Sequence, residues 1–313
     1  MTNLNFISII VPVHRIESTK NLATALENQT YPKNKHEIIF VGCKKNSMKE
    51  LFSTNKRIIY FDIESQWPDA KNNFGIKKAK GEIIAITSDD CIPKKDWLEK
   101  INLAFDEDKK ISAVTGKTIK NKGRIFDHGV EHLKGILGPA SNMAFKKNKL
   151  IEIGGYDENF RFYREETVLQ FKLLTKNEKI VFEPNAIVYH PLRKSSPLNI
   201  FKELYYIRTE ILLAKQYPKL FKKYFGFPVA GLLKQSFFSW GITALIFGAV
   251  IRMNYYYAFF FLAVYFIFRY LVNFRKYSFE FGDFILFSAL AMLRDLAAPF
   301  YSIYYYFTTD SQH

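Results

Sequence analysis

Two adjacent carboxylates, Asp89 and Asp90, directly follow a strand-like run at residues 82–87. Carboxylates this close raise each other's pKa and resist ionisation unless a cation lies beside them. The sequence Ser88-Asp89-Asp90 before Pro93 is also an ordinary turn composition, so these residues alone fit either a loop or a cation site. As a cation site they would offer the oxygen ligands that hard divalent metals prefer.

The elements around the Asp pair favour one of these interpretations. Strand-like runs alternate with helical spacing; strands are predicted at 6–13, 37–41, 57–63 and 82–87, and helices at 18–28 and 69–80, the first capped by Ser18. This alternation predicts a mostly parallel sheet with helices on both faces. Ligands bind such sheets outside the carboxyl ends of the strands. The Asp pair lies at such an end, which favours a functional role.

Composition limits the partners. The 313-residue chain carries a formal charge of +15, 48% hydrophobic residues and two cysteines, Cys43 and Cys91. Two cysteines supply no disulfide framework, which suits a reducing compartment. The basic excess fits either nucleic acid or an anionic membrane surface. Because no nucleic-acid motif is found and the last third is strongly apolar, we expect a membrane partner and no nucleic acid.

The apolar residues after position 225 predict membrane helices. Segments 236–251 and 255–268 contain no charged residue, and only residues 252–254 separate them. They predict a helical hairpin in the bilayer, at about 236–251 and 255–272. A buried hairpin of a large soluble core is the alternative.

Two further segments flank this hairpin. Residues 284–307 are apolar but interrupted by Arg294-Asp295 and Pro299, which predicts a broken or tilted span or a helix in the membrane interface. Residues 197–216 predict a helix with one apolar face and basic flanks. Such a helix lies either in the membrane interface or on the sheet as an ordinary surface helix.

Short motifs in a fixed order span residues 6–220. They are IIVPVH at 9–14, NQTYP at 28–32, KNNFGI at 71–76, AKGEII at 79–84, DWL at 96–98, NMAF at 142–145, GGYDE at 154–158, EET at 165–167 and VYH at 188–190. Each is weak alone, but their order and spacing resemble the family-2 glycosyltransferases, inverting enzymes of the GT-A fold that use nucleotide-activated sugars. The resemblance implies an α/β fold with a GT-A (Rossmann-like), mostly parallel sheet flanked by helices, followed here by C-terminal transmembrane or interfacial helices.

The resemblance implies a divalent cation, Mg²⁺ or Mn²⁺, at the Asp pair. A sugar diphosphate leaves with concentrated negative charge, which such a cation stabilises. The family's D-x-D motif matches Ser88-Asp89-Asp90, with Asp90 at the metal-ligand position, Ser88 in place of the first Asp, and Asp89 expected to compensate or to contact the donor ribose. His190 matches a histidine that often joins the metal in GT-A enzymes, although a lone histidine is more often structural.

The resemblance also places a catalytic base at Glu166. Inversion requires a base on the face opposite the leaving group, worth on the order of 10²–10⁴ in rate. The family's Glu-Asp pair after the GGYDE turn matches Glu165-Glu166, so Glu166 is the expected base, with Glu165, Asn142 and Met143 on the acceptor side. In the structural alternative, both glutamates only favour the N-terminus of a helix at Glu165–Thr175 through its dipole.

The nucleotide of the donor is left open. The residues expected to bind the donor are Pro12, Val13, His14, Arg15, Lys71, Asn73, Asp89 and Arg193. After residues 37–41 the family usually has an acidic residue that contacts the donor base, whereas this chain has Gly42-Cys43. Base recognition is therefore expected to pass to backbone groups or to the 12–15 loop. The Gln-x-x-Arg-Trp signature of processive synthases is absent after His190, which favours transfer of a single sugar.

These inferences predict a membrane-anchored inverting glycosyltransferase that moves one sugar from a nucleotide sugar to a lipid-linked or surface-glycan acceptor. Its parts would be a catalytic domain at 1–194, an amphipathic juxtamembrane segment at 195–228 and a membrane region at 229–313. Two alternatives remain. One is a polyprenyl-phosphate sugar transferase, whose anionic acceptor needs no base; the other is a non-catalytic glycan-assembly subunit with a retained GT-A fold.

The distribution of basic residues predicts the orientation. Positive residues near membrane spans stay in the cytoplasm. They precede and follow the predicted hairpin, whereas its link offers only Arg252; they are Lys215, Lys219, Lys222, Lys223, Arg269, Arg275 and Lys276. We therefore expect a location in the cytoplasmic or inner membrane, with the catalytic domain facing the cytoplasm.

Overall fold

The structure is a computed structural model that describes residues 3–53, 57–161, 163–227, 230–273, 277–278 and 280–309. The chain divides into two compact units. Unit 1 comprises Met1–Lys120 and Gly129–Pro191, and unit 2 comprises Asn121–His128 and Leu192–His313. The predicted boundary at 228–229 lies outside the described residues, as do Arg275 and Lys276.

Ten strands are found in the described residues. In chain order they are β1 (Ile7–Pro12), β2 (His36–Cys43), β3 (Ile58–Ile63), β4 (Ile83–Ile86), β5 (Ile92–Pro93), β6 (Ile111–Ile119), β7 (Gly123–Arg124), β8 (Met143–Lys146), β9 (Lys179–Tyr189) and β10 (Tyr277–Ser278). Unit 1 holds an eight-stranded sheet in the order β3-β2-β1-β4-β8-β6-β9-β5. In unit 2, β7 pairs with β10.

Eleven α-helices are found in the described part of the chain. They are α1 (Ile16–Glu27), α2 (Lys49–Phe52), α3 (Pro68–Lys78), α4 (Trp97–Glu107), α5 (Lys147–Glu152), α6 (Glu165–Thr175), α7 (Lys202–Gln216), α8 (Pro218–Phe225), α9 (Ala230–Ile251), α10 (Tyr255–Asn273) and α11 (Phe281–Thr308). Helices α1–α6 belong to unit 1 and α7–α11 to unit 2. The segment predicted as a helix at 197–216 begins as a 3₁₀ turn, Pro197–Phe201, before α7.

The half of the sheet that was predicted from the sequence is parallel throughout. β1 pairs in parallel with β2 and β4, and β2 pairs in parallel with β3. β1 and β4 are buried at every position, because both faces of a parallel sheet are covered. Strands β2 and β3 lie on one side of β1, and β4 lies on the other. In sheets of this kind, the ligand crevice is found outside the carboxyl ends of the two strands where the order reverses, here β1 and β4. Asp89 and Asp90 follow β4 into this crevice.

The other half of the sheet is mixed. β8 runs antiparallel to both β4 and β6, β6 and β9 are parallel, and β5 is antiparallel to β9. Four of the seven strand pairings are therefore parallel and three are antiparallel. The fold is α/β as predicted, with a mixed sheet that resembles GT-A.

Apolar side chains from the two faces of the sheet form two clusters. On β1, Ile9 and Val11 join the cluster that includes residues of α1 and α4, whereas Ile10 joins the cluster that includes residues of α3 and α6. The alternation follows the strand period of two residues. The predicted cap of α1 is wrong. The helix begins at Ile16, so Ser18 lies inside its first turn, and Arg15 precedes it without a side-chain capping bond.

The helices of the predicted hairpin are present in unit 2 as α9 and α10. By length and composition, α10 and α11 could cross a membrane, and the apolar part of α9 is the shorter stretch Ser236–Ile251. The segment predicted at 284–307 is not broken, because α11 is continuous with Pro299 inside it. A proline removes one helical hydrogen bond, which a helix packed against neighbours tolerates.

The charged pair in α11 is buried in a polar network within unit 2. Asp295 is fully buried and contacts Ser239 of α9 at 3.1 Å, Arg269 of α10 at 3.4 Å and Arg294 at 2.5 Å. Arg294 also pairs with Glu203 of α7 at 2.6 Å. Helices α7, α9, α10 and α11 therefore contribute to one buried polar network. Because Arg294 and Asp295 both have partners in it, the apolar helix α11 can accommodate these two charged residues.

Candidate functional site

The Asp89 carboxylate holds the loop that follows β1. Asp89 is buried and lies three residues after β4. Its Oδ2 accepts hydrogen bonds from the backbone N–H groups of His14 at 2.6 Å and Arg15 at 2.9 Å, and its Oδ1 pairs with the Arg15 guanidinium at 2.5 Å. Asp89 thus joins the ends of β1 and β4, and brings the predicted donor loop to the crevice.

Asp90 lies beside His190, the residue that directly follows β9. His190 is buried, and its Nδ1 is 2.8 Å from the carbonyl oxygen of Pro191. A carbonyl only accepts hydrogen bonds, so Nδ1 carries the proton and Nε2 is left to accept or coordinate. Burial lowers the pKa of His190, and the cations Arg15 and Lys120 lower it further, against a rise from the Pro191 bond. The imidazole is therefore neutral at neutral pH, as a metal ligand must be.

These residues fit a hard divalent cation. One potential ligand atom from each of Asp90, Cys91 and His190 lies within 4.8 Å of the others. A carboxylate oxygen and a neutral imidazole nitrogen suit Mg²⁺ or Mn²⁺. Burial raises the pKa of the Cys91 thiol to about 12, so its sulfur is a neutral neighbour, 3.7 Å from Asp90 Oδ1. The half-buried Ser88, in place of the first Asp of the motif, closes the turn through its carbonyl, which accepts the Cys91 N–H at 3.0 Å.

Two residues of α3 that were predicted to bind the diphosphate contact neighbouring loops. Lys71 is buried, and its Nζ lies 2.9 Å from the Val13 carbonyl oxygen and 3.2 Å from His14 Nδ1. Burial lowers the pKa of Lys71, while nearby anionic groups oppose that shift. The Asn73 amide bonds both the N–H and the carbonyl of Tyr156, at 2.8 and 3.0 Å. Direct contact of Lys71 or Asn73 with a donor stays a prediction.

Gly42 is packed tightly at the end of β2. A Cβ atom on residue 42 would lie 1.8 Å from the Tyr60 hydroxyl oxygen and 2.9 Å from Asp62 Oδ1. Asp62 is the register partner of Gly42 on β3, and its Oδ1 accepts the Tyr60 hydroxyl at 3.0 Å. The Tyr60 hydroxyl therefore occupies the space where a side chain on residue 42 would begin, and the Asp62 carboxylate lies next to it. The sequence does not indicate this carboxylate, because the strand register is not visible in it.

Glu165 and Glu166 begin α6, after Arg164 in a left-handed conformation with φ 70°. Both residues are half-buried, and Oε2 of Glu165 is fully buried. Burial raises the pKa of Glu165 well above its usual range, and the neighbouring Glu166 raises it further. Burial also raises the pKa of Glu166, but backbone bonding, Arg164 and a hydrogen bond from Glu165 oppose this shift. The pKa of both carboxyl groups is therefore raised, and the hydrogen bond from Glu165 favours the ionised form of Glu166.

The remaining predicted residues are placed as follows. Asn142 is buried, and its amide accepts the Trp97 indole N–H at 2.8 Å and donates to the Lys117 and Ala186 carbonyls. Met143 is buried in β8. Both side chains belong to the core of unit 1. Their acceptor-side role stays a prediction. Arg193 belongs to unit 2, where its backbone pairs with that of His128, and its donor role also stays a prediction.

Sequence profiles identify the chain over more than half of its length. Residues 8–169 match the family described as Glycosyl transferase family 2. The chain is 36% identical over 107 residues to Glycosyltransferase AglE of Haloferax volcanii, which covers 32% of this chain and 35% of the relative. It is 20% identical over 178 residues to the Glucosyl-dolichyl phosphate glucuronosyltransferase of the same organism, covering 49% of this chain and 56% of the relative. The matches thus span about a third to a half of these relatives.

A solved structure shares the fold across almost the whole chain. The mannosyltransferase PcManGT from Pyrobaculum calidifontis, determined in complex with GDP-Man and Mn²⁺, superposes with a TM-score of 0.66 at 14% identity. The superposition covers 97% of this chain and 88% of PcManGT. The motif order, the mixed sheet and the profile match agree: the chain belongs to glycosyl transferase family 2.

Proposed function

We propose that the chain is a membrane-anchored glycosyltransferase that moves one sugar, with inversion, from a nucleotide sugar to a lipid-linked or surface-glycan acceptor. One observation carries the proposal: unit 1 combines a buried Asp90–His190 pair at the strand ends with the adjacent Glu165 and Glu166 at the start of α6. A cation site and a base are the two groups that inverting sugar transfer requires.

Asp90 and His190 would hold Mg²⁺ or Mn²⁺, which when bound stabilises the negative charge of the departing nucleoside diphosphate. The neutral imidazole and the carboxylate would supply one nitrogen and one oxygen ligand. Asp89 would act by holding the 12–15 loop, since His14 and Arg15 N–H groups bond it. The half-exposed Arg15 guanidinium, 3.9 Å from Asp90 Oδ2, would be a cationic contact for the diphosphate.

Glu166 would take the proton from the attacking hydroxyl of the acceptor. Glu165 would keep its own proton and donate a hydrogen bond to Glu166, which stabilises the ionised form of the base. Arg164 would add a positive charge beside it. These three residues are consecutive, so the left-handed backbone at Arg164 sets the direction in which α6 starts and in which the base points.

The donor base would be contacted by Asp62. Its carboxylate stands beside Gly42, at the end of β2, where the family resemblance places an acidic contact to the base. A carboxylate accepts hydrogen bonds from ring N–H and exocyclic amino groups, so it favours bases that present donors. The relative PcManGT was determined with GDP-Man, and guanine presents such donors, which supports testing GDP sugars together with UDP sugars.

The C-terminal helices would anchor the enzyme beside its acceptor. α10 and α11 are long and apolar enough to cross a membrane. One relative is named for glucosyl-dolichyl phosphate, a lipid-linked sugar, which supports an acceptor held in the membrane. Lys219, Lys222 and Lys223 lie on the amphipathic α8, where they would contact anionic headgroups on the cytoplasmic side.

Nucleotide release from a panel of sugar donors tests the proposal. Membranes that contain the full chain are incubated with UDP and GDP sugars, with Mn²⁺ or with EDTA. We expect metal-dependent release from one donor, and its loss in Asp90→Asn because one cation ligand is removed. Asp106→Asn, at a half-buried residue of α4 that pairs with Lys109, is the matched control and should retain activity. Equal donor affinity in wild type and Asp90→Asn, with and without EDTA, would contradict the metal role.

A further inference from the structure

The start of α11 is held by a segment that cannot cross a membrane. Asp283 pairs with Arg124 at 2.5 Å, and β10, just before α11, pairs with β7. Arg124 and β7 belong to residues 121–128, which leave unit 1 after Lys120 and return to it at Gly129. One helical crossing takes about 20 residues, so a segment of this length stays on one side of a bilayer. The start of α11 therefore lies on the same membrane side as unit 1.

The second half of α11 lies alongside α7, a helix too polar to cross a membrane. Glu203 of α7 pairs with Arg294 at 2.6 Å, and Lys215 Nζ donates to the Tyr306 carbonyl oxygen at 2.5 Å. The two contacts are equally spaced along both helices, so α7 and α11 run in the same direction over about 18 Å. Five of the 15 residues of α7 are charged. A crossing α11 would draw these charges into the hydrocarbon, where charged side chains are costly.

Helix α11 crosses the α9–α10 hairpin near the end where α9 begins and α10 ends. Polar and aromatic contacts join them at Phe284–Tyr270, Ser288–Tyr265, Asp295–Arg269, Asp295–Ser239, Leu296–Trp240 and Phe300–Trp240. Leu233 of α9 also packs against a cluster that includes Ala298. These contacts extend over about 24 Å of α11, but they fall within about 11 Å of α9 and 8 Å of α10. The other end of the hairpin is exposed on both helices, as at Ile251 and Tyr256, so α11 lies across the hairpin and not along it.

The outward face of α11 is an exposed apolar stripe. Leu286, Leu293, Phe300 and Phe307 are exposed and lie seven residues apart. Because seven residues make almost two full helical turns, these four side chains share one face. Asp295 lies on the opposite, buried face with its ion-pair partners. Extended apolar surface marks a contact with a membrane or a protein partner, and the place of α11 beside a membrane hairpin favours lipid.

Basic groups at the end of α11 favour an anionic lipid surface. Lys215, Lys222, Phe221 and Tyr306 are among the residues that line a cavity of about 340 Å³. No acidic residue is found among the described residues of its lining. Ammonium groups beside apolar and aromatic side chains are suited to the boundary between phosphate headgroups and acyl chains.

We propose that α11 lies in the plane of the membrane, embedded in the leaflet on the unit 1 side, and that its outward stripe binds lipid. The inference rests on the membrane anchoring in the proposed function and goes beyond it, because length and composition alone would make α11 a span. Helices of this kind bury their apolar face about 5–10 Å into the boundary between headgroups and acyl chains. Both ends of α11 then stay on the side of unit 1, as their contacts with residues 121–128 and with α7 require.

Depth measurements along the stripe test this inference. The full chain is placed in vesicles of phosphatidylcholine and phosphatidylglycerol, with one nitroxide label on Leu286→Cys, Leu293→Cys, Phe300→Cys or Phe307→Cys. The relaxation of each label by oxygen and by a water-soluble nickel complex measures its depth. We expect lipid contact at all four positions and depths that agree within about 5 Å, as for an in-plane helix. A span would shift the depth by about 10 Å from one position to the next, and that profile would overturn the inference.

Two exposed positions on α10 are the matched controls. Labels on Tyr256→Cys and Leu262→Cys should differ in depth by about 9 Å if α10 crosses the bilayer. The two natural cysteines are buried and give little background label. If the α11 labels all lie in water while those on α10 contact lipid, the lipid-binding stripe is wrong. If no label on either helix contacts lipid, the membrane anchoring of the proposed function is wrong, and this inference with it.

Labelling at the two ends of α11 gives a second, independent test. Gly282→Cys and Thr308→Cys, both at exposed positions, are treated with a membrane-impermeant maleimide in intact and in permeabilised cells. We expect the two ends to behave alike, unreactive in intact cells and reactive after permeabilisation. Reaction of both ends in intact cells would reverse the orientation of the protein but keep α11 in the membrane plane. Reaction of one end only in intact cells would make α11 a span and overturn the inference.

Discussion

Neighbouring acidic residues in this site differ in their partners, and the partners determine what each can do. Asp89 accepts two backbone hydrogen bonds and an Arg15 ion pair, which makes it a support for the donor loop. Asp90 lies next to a neutral His190, an arrangement that suits a cation. Burial raises the pKa of both Glu165 and Glu166, and the hydrogen bond from Glu165 opposes that rise at Glu166.

We predict that Glu166→Gln lowers turnover by about two to four orders of magnitude, because a positioned base contributes about that much. Glutamine keeps the size of the side chain but cannot take a proton, so the donor dissociation constant should change little. Single-turnover transfer and nucleotide binding measure the two quantities. Glu152→Gln, at an exposed glutamate of α5, is the control and should be near wild type. Near-normal turnover in Glu166→Gln would indicate another base or an acceptor that needs none.

The pH dependence of turnover follows from the raised pKa of Glu166. A base works only when deprotonated, so turnover should fall as pH falls through that pKa, at a pH above the usual glutamate value of 4.5. A carboxyl with a raised pKa stabilises the fold below 4.5 and loses that contribution as pH rises, so this pair does not itself cause acid unfolding. Turnover and the melting temperature measured over the same pH range separate the two effects. An acid limb at or below 4.5 would contradict the burial of the base.

Asp62→Asn should change which nucleotide binds. An amide keeps one acceptor but adds a donor, so the preference for bases that present N–H groups should weaken by about 1–3 kcal/mol. Competition among UDP, GDP, CDP and ADP in a nucleotide-binding assay measures this preference. Asp108→Asn, at a half-buried residue that pairs with Lys179 in the same unit, should leave the ranking unchanged. The same ranking and affinities in Asp62→Asn and wild type would exclude contact with the base.

At the scale of residues, the sequence predicts functional side chains that are neighbours within one motif. Asp89, Asp90, Glu165 and Glu166 are found in this way. Asp62 lies beside Gly42 through the register of β2 and β3, and Asn73 of α3 bonds the backbone of Tyr156, 83 residues away. Both depend on pairings between distant parts of the chain, for which the sequence offers no local pattern.

At the scale of elements, the strands with continuous apolar runs were predictable and the others were not. β1, β2 and β4 are parallel strands buried on both faces, and their composition reflects this, whereas β3 at the sheet edge is mostly half-buried. β9 includes Pro184 and exposed positions, and its pairing with β6 contains register shifts. The place of β8 between β4 and β6 is set by long-range pairing, which propensity does not encode.

The charged network in unit 2 joins four helices, α7, α9, α10 and α11. We predict that Asp295→Asn destabilises this unit by about 3–5 kcal/mol, because two buried arginines lose their shared partner. Asp283→Asn is the matched control on the same helix. Asp283 pairs with the half-exposed Arg124 and should cost less than about 1 kcal/mol. Thermal unfolding in detergent compares the two variants, and equal melting temperatures would show that the network contributes little.

At the scale of the whole molecule, the chain combines a family-2 unit with helices suited to a membrane. The nucleotide-sugar chemistry proposed for unit 1 requires access to a soluble donor, whereas α10 and α11 are suited to an apolar environment. Basic residues of α7 and α8 precede α9, and Arg252 alone lies in the link between α9 and α10. The excess of positive charge in the chain before α9 predicts that unit 1 faces the cytoplasm.

Cysteine labelling in intact cells tests this orientation. The two natural cysteines are buried, so single new cysteines can be read above a low background. Met253 is 78% exposed in the link between α9 and α10, and Met253→Cys should react with a membrane-impermeant maleimide from outside. Glu17→Cys, at an exposed position on α1, should react only after the cells are permeabilised. Labelling of Glu17→Cys in intact cells would place unit 1 outside, away from the cytoplasmic supply of nucleotide sugars, and would overturn both the orientation and the donor proposed for it.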